Sequence, residues 1–419
     1  MFLIYSFIYT IVILLLLPAE YLKRPKAVRA KWLREKLGGL TGLDSSIWVH
    51  AVSVGEVNAS LPLLVRLRAA YPGCTLILST ITDTGQRVAK DKAPQGTVVV
   101  YLPFDIGFIL QRCFRNVRPR ILLIMETELW PNLLRTAAGN HVPVIMINGR
   151  ISEKSSKGYK RISFFMKKIF SFVEIFGMQS HLDAERLKSI GAEDRKVMIL
   201  GNLKFDMKIS GNLPEWTKAI SGPVVVAGST HRGEEELVLS AWMDNLDKFP
   251  GLKLVLAPRH PDRFAEVTDM LTQKSVPYVR RSAPGLQPST FAAANVILLD
   301  TVGELSAVYK IASLAIIGKS FTGTGGQNPL EPAYWGKPVI CGPHMENFPF
   351  VEEFYREGAA FQVDPHMLSA KIGELLGDPG RMITAGKKAR EIFDRNADAV
   401  SRAMKLIDGY MTTGAKENL

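Results

Sequence analysis

Three glutamates stand where apolar runs give way to polar ones. Glu56 closes WVHAVSVGE, after the run Ile47–Val54, and a segment of helical period, Val57–Ala70, follows it. Glu126 and Glu128 close the apolar run in ILLIMETE. A carboxylate at the junction of a buried strand and a helix has two uses. It can cap the helix, because an anion gains about 0.3–1 kcal/mol at the positive end of the dipole. It can also take a proton from a hydroxyl as a general base. These residues alone leave both uses open.

Other strand ends carry groups suited to an anion. In GSTHRGEEE, Ser229 and Thr230 follow a strand expected to end at Gly228 and precede an acid-rich helix start. Free amides there suit a phosphate, and ordinary capping by either hydroxyl is the alternative. Arg259 of APRHPDRF offers a guanidinium after the run LKLVLAP. In TGTGGQNPLEPAYWGKPVICGPHMENF, Gly325 and Gly326 permit close backbone approach. Asn328-Pro329 predicts a helix with proline at its first position. Glu331 then lies in the first turn, where it either accepts from a ribose diol or favours the dipole. The chain has no GxGxxG, Walker A, HExxH or GxSxG string, and its cysteines, Cys74, Cys113 and Cys341, are isolated. That spacing excludes a disulfide framework and a structural zinc site. His50 and His260 read as structural.

The elements that must hold these groups alternate. Apolar runs IWVHAVS, TLILST, TVVVYLP, ILLIMETE, VPVIMING and VEIFGMQS are separated by segments of helical period such as Gly107–Arg115 and Trp130–Ala138. The pattern restarts with PVVVAGS, LKLVLAPR, VILLD, LAIIGKS, PVICG and AAFQV. Continuous apolar strands between helices predict parallel sheets covered on both faces. The expectation is α/β: two doubly wound, Rossmann-like domains facing a cleft, with ligands at the carboxyl ends of the strands. The expected division is 1–22, a membrane anchor; 23–203, the first α/β domain; 204–222, a linker without clear period; 223–395, the second; and 396–419, a C-terminal helix packing back on the first. The tail from Gly380 to Met411 reads as long helix.

The N-terminal segment Phe2–Ala19 has no charge. Its helical part spans roughly 25 Å at about 1.5 Å per residue, a little short of a hydrocarbon core of about 30 Å. Pro18 is expected to end it. The segment is apolar on every face, and nothing in its composition gives it a part in a site. Lys23, Arg24, Lys26, Arg29, Lys31, Arg34 and Lys36 follow, the reverse of a signal peptide's order. The positive-inside rule then places the rest on the cytoplasmic side. The net charge of +12 calls for an anionic partner: nucleic acid, a phosphorylated substrate or a membrane surface.

The strings HAVSVGE, METELWPN, GNLKFD, STHRGEEE, APRHPDRF and GGQNPLEPA…GPHMENF together resemble the 3-deoxy-D-manno-octulosonic acid (Kdo) transferases of lipopolysaccharide synthesis. The resemblance runs from the N-terminal segment to about Arg395. It implies the GT-B glycosyltransferase fold and an inverting, metal-independent transfer of Kdo from CMP-Kdo to a lipid A precursor, with no cofactor. It implies Glu56 as the catalytic base and Arg259 and Glu331 as donor contacts, with Ser229, Thr230, Gly325, Gly326 and Asn328 beside them. Glu126 and Glu128 fall on the acceptor side, with Ser53, Gly55 and Arg150. The partners implied are CMP-Kdo, the lipid A precursor and membrane lipids, not nucleic acid, at the cytoplasmic face of the inner membrane. In GRISEKSSKGYKRISFFMKKIFSF, the cations Arg150, Lys154, Lys157, Lys160, Arg161, Lys167 and Lys168 lie among Phe164, Phe165, Phe170 and Phe172. That mixture suits a membrane interface, and an inward apolar stripe explains the phenylalanines equally well. Two other readings stand beside this one: a UDP-sugar transferase of the same fold, and a non-catalytic membrane-anchored binding module.

Overall fold

The computed structural model describes residues 1–413, apart from 208, 210 and 211. The chain forms two compact units, Met1–Met207 with Ala397–Leu419, and Lys208–Asn396.

The first unit is built on one parallel sheet. Its strands are β1 (Ser46–His50), β2 (Thr75–Thr80), β3 (Val98–Tyr101), β4 (Pro119–Met125), β5 (Val144–Gly149), β6 (Ile175–Met178) and β7 (Val197–Ile199). They lie in the order β3-β2-β1-β4-β5-β6-β7. Successive β1 residues feed opposite layers. Trp48 packs with Ile77, Leu110, Phe114 and Leu122 on one face; Ile47 and Val49 pack with Leu63, Leu67, Leu78 and Leu123 on the other. Burial on both faces is why these strands read as unbroken apolar runs. The chain winds outward from β1 to β3, then returns to the other side of β1 as β4. Between the carboxyl ends of β1 and β4 the connections diverge, which leaves an open crevice.

The second unit repeats the plan. Its strands are β8 (Val224–Thr230), β9 (Lys253–Pro258), β10 (Tyr278–Arg280), β11 (Val296–Leu298), β12 (Leu314–Ile317), β13 (Val339–Cys341) and β14 (Ala360–Gln362), all parallel. The order β10-β11-β9-β8-β12-β13-β14 reverses between β8 and β12.

Several sequence-based expectations need correction. Strand β8 does not end at Gly228 but runs to Thr230, past a register shift against β9, with Ser229 at φ 56°. Much of the expected linker 204–222 is claimed by the second unit's core: Trp216 is buried, its ring packs at a tilt against Phe291, and it donates to Glu304 Oε2. The tail is two helices, Pro379–Asn396 and Ala399–Thr413, separated at Asp398 with φ 62°. Asp206 caps the second by accepting from the amides of Ala399 and Val400. Ala403, Met404, Ile407 and Met411 join the first unit's core. Positions 208, 210, 211 and 414–419 of the expected linker and C-terminal helix lie outside the described residues.

The N-terminal helix continues through Pro18 to Lys23. Pro18 sits on its exposed side, and Tyr21 beyond it packs against the Trp32–Phe104–Ile109 cluster. The helix is not alike on every face. Leu3, Phe7, Leu14, Leu15 and Leu16 are exposed, while Tyr9, Ile13 and Leu17 join Tyr21 on the docked side. In the basic-aromatic stretch, Phe165 and Phe172 meet Phe2 edge-on and Phe170 is buried. Only Phe164 of the four faces outward, 80% exposed, so the inward stripe accounts for the other three.

Candidate active site

Glu56 owes its place to the way β1 ends. Ser53 is the N-cap of the helix Val54–Ala70, and its Oγ accepts from the Glu56 amide. The Glu56 carboxylate turns back: Oε1 accepts from Ser53 Oγ at 2.9 Å and Oε2 from the Val52 amide at 2.8 Å. This is a capping box displaced by one residue, since the carboxylate takes the amide before the cap. Val52 is held from behind by Thr82, whose amide and hydroxyl both donate to its carbonyl. Gly85 lies against the same carbonyl, where a Cβ would come within 2.9 Å of the oxygen. A Cβ at Gly55 would meet only Ser53 Oγ, at 3.7 Å, so the turn itself does not demand glycine there.

Glu56 is 7% exposed. Burial pushes its carboxyl up to about 7, against the Val52 hydrogen bond, and Glu128 and Glu126 push it the same way. Those two follow β4, the strand on the far side of the crevice. Glu126 is held at φ 54° with its amide bonded to Ile147 O, a setting that costs a non-glycine residue on the order of 1–3 kcal/mol. Glu128 accepts from Trp130 Nε1 at 3.2 Å, and burial raises its carboxyl too. Arg150 follows β5, and its carbonyl accepts from Thr127 Oγ1. Glu56, Glu126, Glu128 and Arg150 thus share the carboxyl edge of β1, β4 and β5, residues that lie far apart in sequence. A buried carboxylate crowded by like charges has a proton affinity matched to neutral pH, which suits a general base.

In the second unit the expected anion site is rearranged. Gly233, not Ser229 or Thr230, is the N-cap of the helix Glu234–Met243. Thr230 is fully buried, and its hydroxyl donates to Glu235 Oε1. The amides that converge beside it, from His231, Lys319 and Phe321, donate to the Glu234 carboxylate at 2.6–2.9 Å. The protein's own carboxylate occupies that nest. The groups left to meet an anion are side chains at the ends of β8, β9 and β12: His231 and the cations Arg259 and Lys319. His231 meets His260 edge-on at 5.2 Å, and its Nε2 pairs with Gln327. Burial, His260 and Lys319 all hold its ring below the usual histidine range. Arg259 donates its amide to Thr230 O.

Glu331 sits beside this group. Burial pushes its carboxyl up to about 7, and the Arg259 charge pulls the other way. Pro329 is the cap of the helix Leu330–Tyr334 rather than its first residue, and Asn328 Oδ1 accepts from the Leu330 amide. The close approach expected at Gly325 and Gly326 is to the chain itself. They adopt φ 102° and 67°, and a Cβ would lie 2.2 Å from Asn347 Nδ2 or 2.4 Å from Met345 Sδ. Gly318 lets the end of β12 touch that of β8, 2.2 Å from Ser229 O by the same measure.

Thr82, Gly85, His231 and Lys319 escaped sequence reasoning. The rule that found Arg259, a cation just beyond an apolar run, also marks Lys319 in LAIIGKS. Among the described residues no group of three His, Cys, Asp or Glu is arranged to hold a metal ion.

Solved structures share this architecture along most of the chain. A UDP-N-acetylglucosamine 2-epimerase superposes with TM-score 0.57 at 11% identity, covering 89% of this chain and 97% of that one. A glycosyltransferase from Rickettsia africae gives 0.52 at 12%, covering 87% and 98%. The chain has the GT-B fold. The family model described as 3-deoxy-D-manno-octulosonic-acid transferase (kdotransferase) matches residues 26–207. The Kdo transferase of Haemophilus influenzae is 32% identical over 374 residues, 87% of each chain, and that of Aquifex aeolicus 31% over 357 residues, 84% of this chain and 92% of its own. The chain belongs to the Kdo transferase family, and its activity is Kdo transfer in lipopolysaccharide synthesis.

Proposed function

We propose that this chain moves Kdo from CMP-Kdo to a sugar hydroxyl of a lipid A precursor, inverting the anomeric centre, with Glu56 as the base. The observation that supports it best is a buried carboxyl, raised to about 7, at the carboxyl end of the sheet's first strand with Glu126 and Glu128 beside it. The bond between the anomeric carbon and the CMP phosphate breaks, and its electron pair leaves with the phosphate. The acceptor oxygen attacks from the opposite face while its proton passes to Glu56. Arg259, with Lys319 and His231, meets the charge growing on the phosphate. Ser229, Asn328, Gly325 and Gly326 shape the donor side, and Glu331 takes the ribose hydroxyls. Thr230 acts from beneath, by holding Glu235. Ser53 sets the base, with Gly55 in the same turn, and Glu126, Glu128 and Arg150 face the acceptor.

The test is donor identity. CMP-Kdo with a lipid A precursor should yield a product heavier by whole Kdo units, with CMP inhibiting and UDP inert. Inhibition by UDP and not by CMP would replace this reading with a UDP-sugar transferase.

The apolar outer face of the helix Phe2–Lys23 and the exposed Lys154, Lys157, Lys160, Arg161, Lys167 and Lys168 support a place on the cytoplasmic face of the inner membrane. Cations near an anionic surface add about 1 kcal/mol each. The protein should sediment with anionic vesicles more than with zwitterionic ones. Salt should erase that difference, since screening sets in at about 8–10 Å near 0.1–0.15 M, and leave the binding due to the helix. Equal binding to both vesicle types at low salt would remove the basic stretch from the interface.

A further inference from the structure

The N-terminal helix does more than rest on the first unit. Tyr5 Oη donates to Asp105 Oδ2 at 2.8 Å, and the Asp105 amide donates to Tyr9 Oη at 3.3 Å. Asp105 is 1% exposed. Its carboxylate also accepts from the amides of Asn132 and Leu133, at 3.0 and 2.7 Å. Those amides open the helix Pro131–Gly139, whose own N-cap residue, Trp130, makes no side-chain cap. The cap therefore comes from a remote loop, and the N-terminal helix holds the loop. Ser6 adds a side-chain pair with Asn132 at 2.9 Å.

A second line of contact reaches further. The Tyr9 ring meets the Trp130 ring edge-on at 6.3 Å, and Trp130 Nε1 donates to Glu128 Oε2. From the helix to the carboxylate there are two contacts, the first to the segment that joins β4 to its helix and the second within that segment.

We propose that the N-terminal helix is a positioning element of the carboxylate site: Tyr5, Ser6 and Tyr9 set Glu128 through Asp105 and Trp130. This rests on the reading of Glu128 as an acceptor-side group. It assigns the helix a part in the site that its composition does not suggest. Removing it would loosen the Glu126–Trp130 segment even where no membrane is present.

The test uses the full chain and detergent-dispersed acceptor, so that membrane partition plays no part. Tyr9→Leu removes the ring against Trp130, and Tyr9→Phe keeps it, losing only a long hydrogen bond. Tyr9→Leu should lower kcat/KM for the acceptor about tenfold, the scale of an aromatic pair together with a lost polar contact. Tyr9→Phe should recover most of that, and KM for the donor should not move in either. Tyr5→Phe should show the same acceptor-only loss, which keeps the proposal testable if Tyr9→Leu does not fold. Wild-type acceptor kinetics in a folded Tyr9→Leu protein would overturn the proposal. So would equal losses for donor and acceptor, which mark a general loosening of the fold. Glu128→Gln in the otherwise native chain separates the two readings. If it leaves acceptor kinetics intact, the acceptor-side reading of Glu128 fails; if it impairs them while Tyr9→Leu does not, only the positioning proposal fails.

Discussion

Glu56→Ala should lower turnover by roughly 10²–10⁴, the range for a positioned base, and leave CMP affinity nearly unchanged. The carboxylate is held on one side by the Val52 amide and on the other by Ser53, so part of any loss is structural. Replacing a helix cap costs about 1 kcal/mol, too little to account for a loss of that size. Glu56→Gln isolates the chemistry further, because the amide keeps the shape and one acceptor but takes no proton. The pH profile gives a second reading of the same group. Burial and the neighbouring carboxylates raise the Glu56 carboxyl to about 7, and only its ionised form accepts a proton. In the native enzyme kcat/KM should therefore fall tenfold per unit below about pH 7 and level off above it. Glu128→Gln removes a charge that raises Glu56, so its acid limb should move to lower pH. A variant that kept its turnover number but lost CMP affinity would make Glu56 a donor contact and sink the base assignment.

What was legible in the sequence follows from where the physics is local. Strands buried on both faces announce themselves as apolar runs, and β1, β4, β5, β8 and β9 were read that way. β7 and β10 were not. Each is three residues long at a sheet edge, Met198 and Ile199 are exposed, and Arg280 closes β10. Such strands lack the double burial that makes the pattern. The break in the tail was missed because its second helix is capped from afar, by Asp206 on the Ala399 amide. No window along the chain contains both partners. Glu56 could be singled out by its own junction, but its meeting with Glu126 and Glu128 depends on β1 pairing with β4. The amides after β8 looked free because Glu234, their partner, reads as one more helix-start acid. Its carboxylate also gathers Lys319 and Phe321, which arrive from beyond β12.

Arg259→Ala should cost the donor reaction roughly 10²–10³, as the loss of one preorganised group facing developing charge does. Arg259→Lys should recover only part of it, because the ammonium keeps the charge but not the planar fork that matches a phosphate. The fold should survive both changes. The side chain is exposed, and what ties the residue to the sheet is its amide on Thr230 O. Glu331 supplies an independent readout. Burial raises its carboxyl to about 7 and the Arg259 charge opposes that rise, so in Arg259→Ala the carboxyl should move higher and be mostly protonated at neutral pH. A protonated Glu331 is a poorer acceptor for ribose hydroxyls. Donor KM in the alanine variant should then improve between pH 7 and pH 8.5, as Glu331 ionises, while in the native enzyme it changes less. If Arg259→Lys showed native kinetics, Arg259 would be a surface residue. A donor KM raised equally at both pH values would leave Arg259 on the phosphate but separate Glu331 from it.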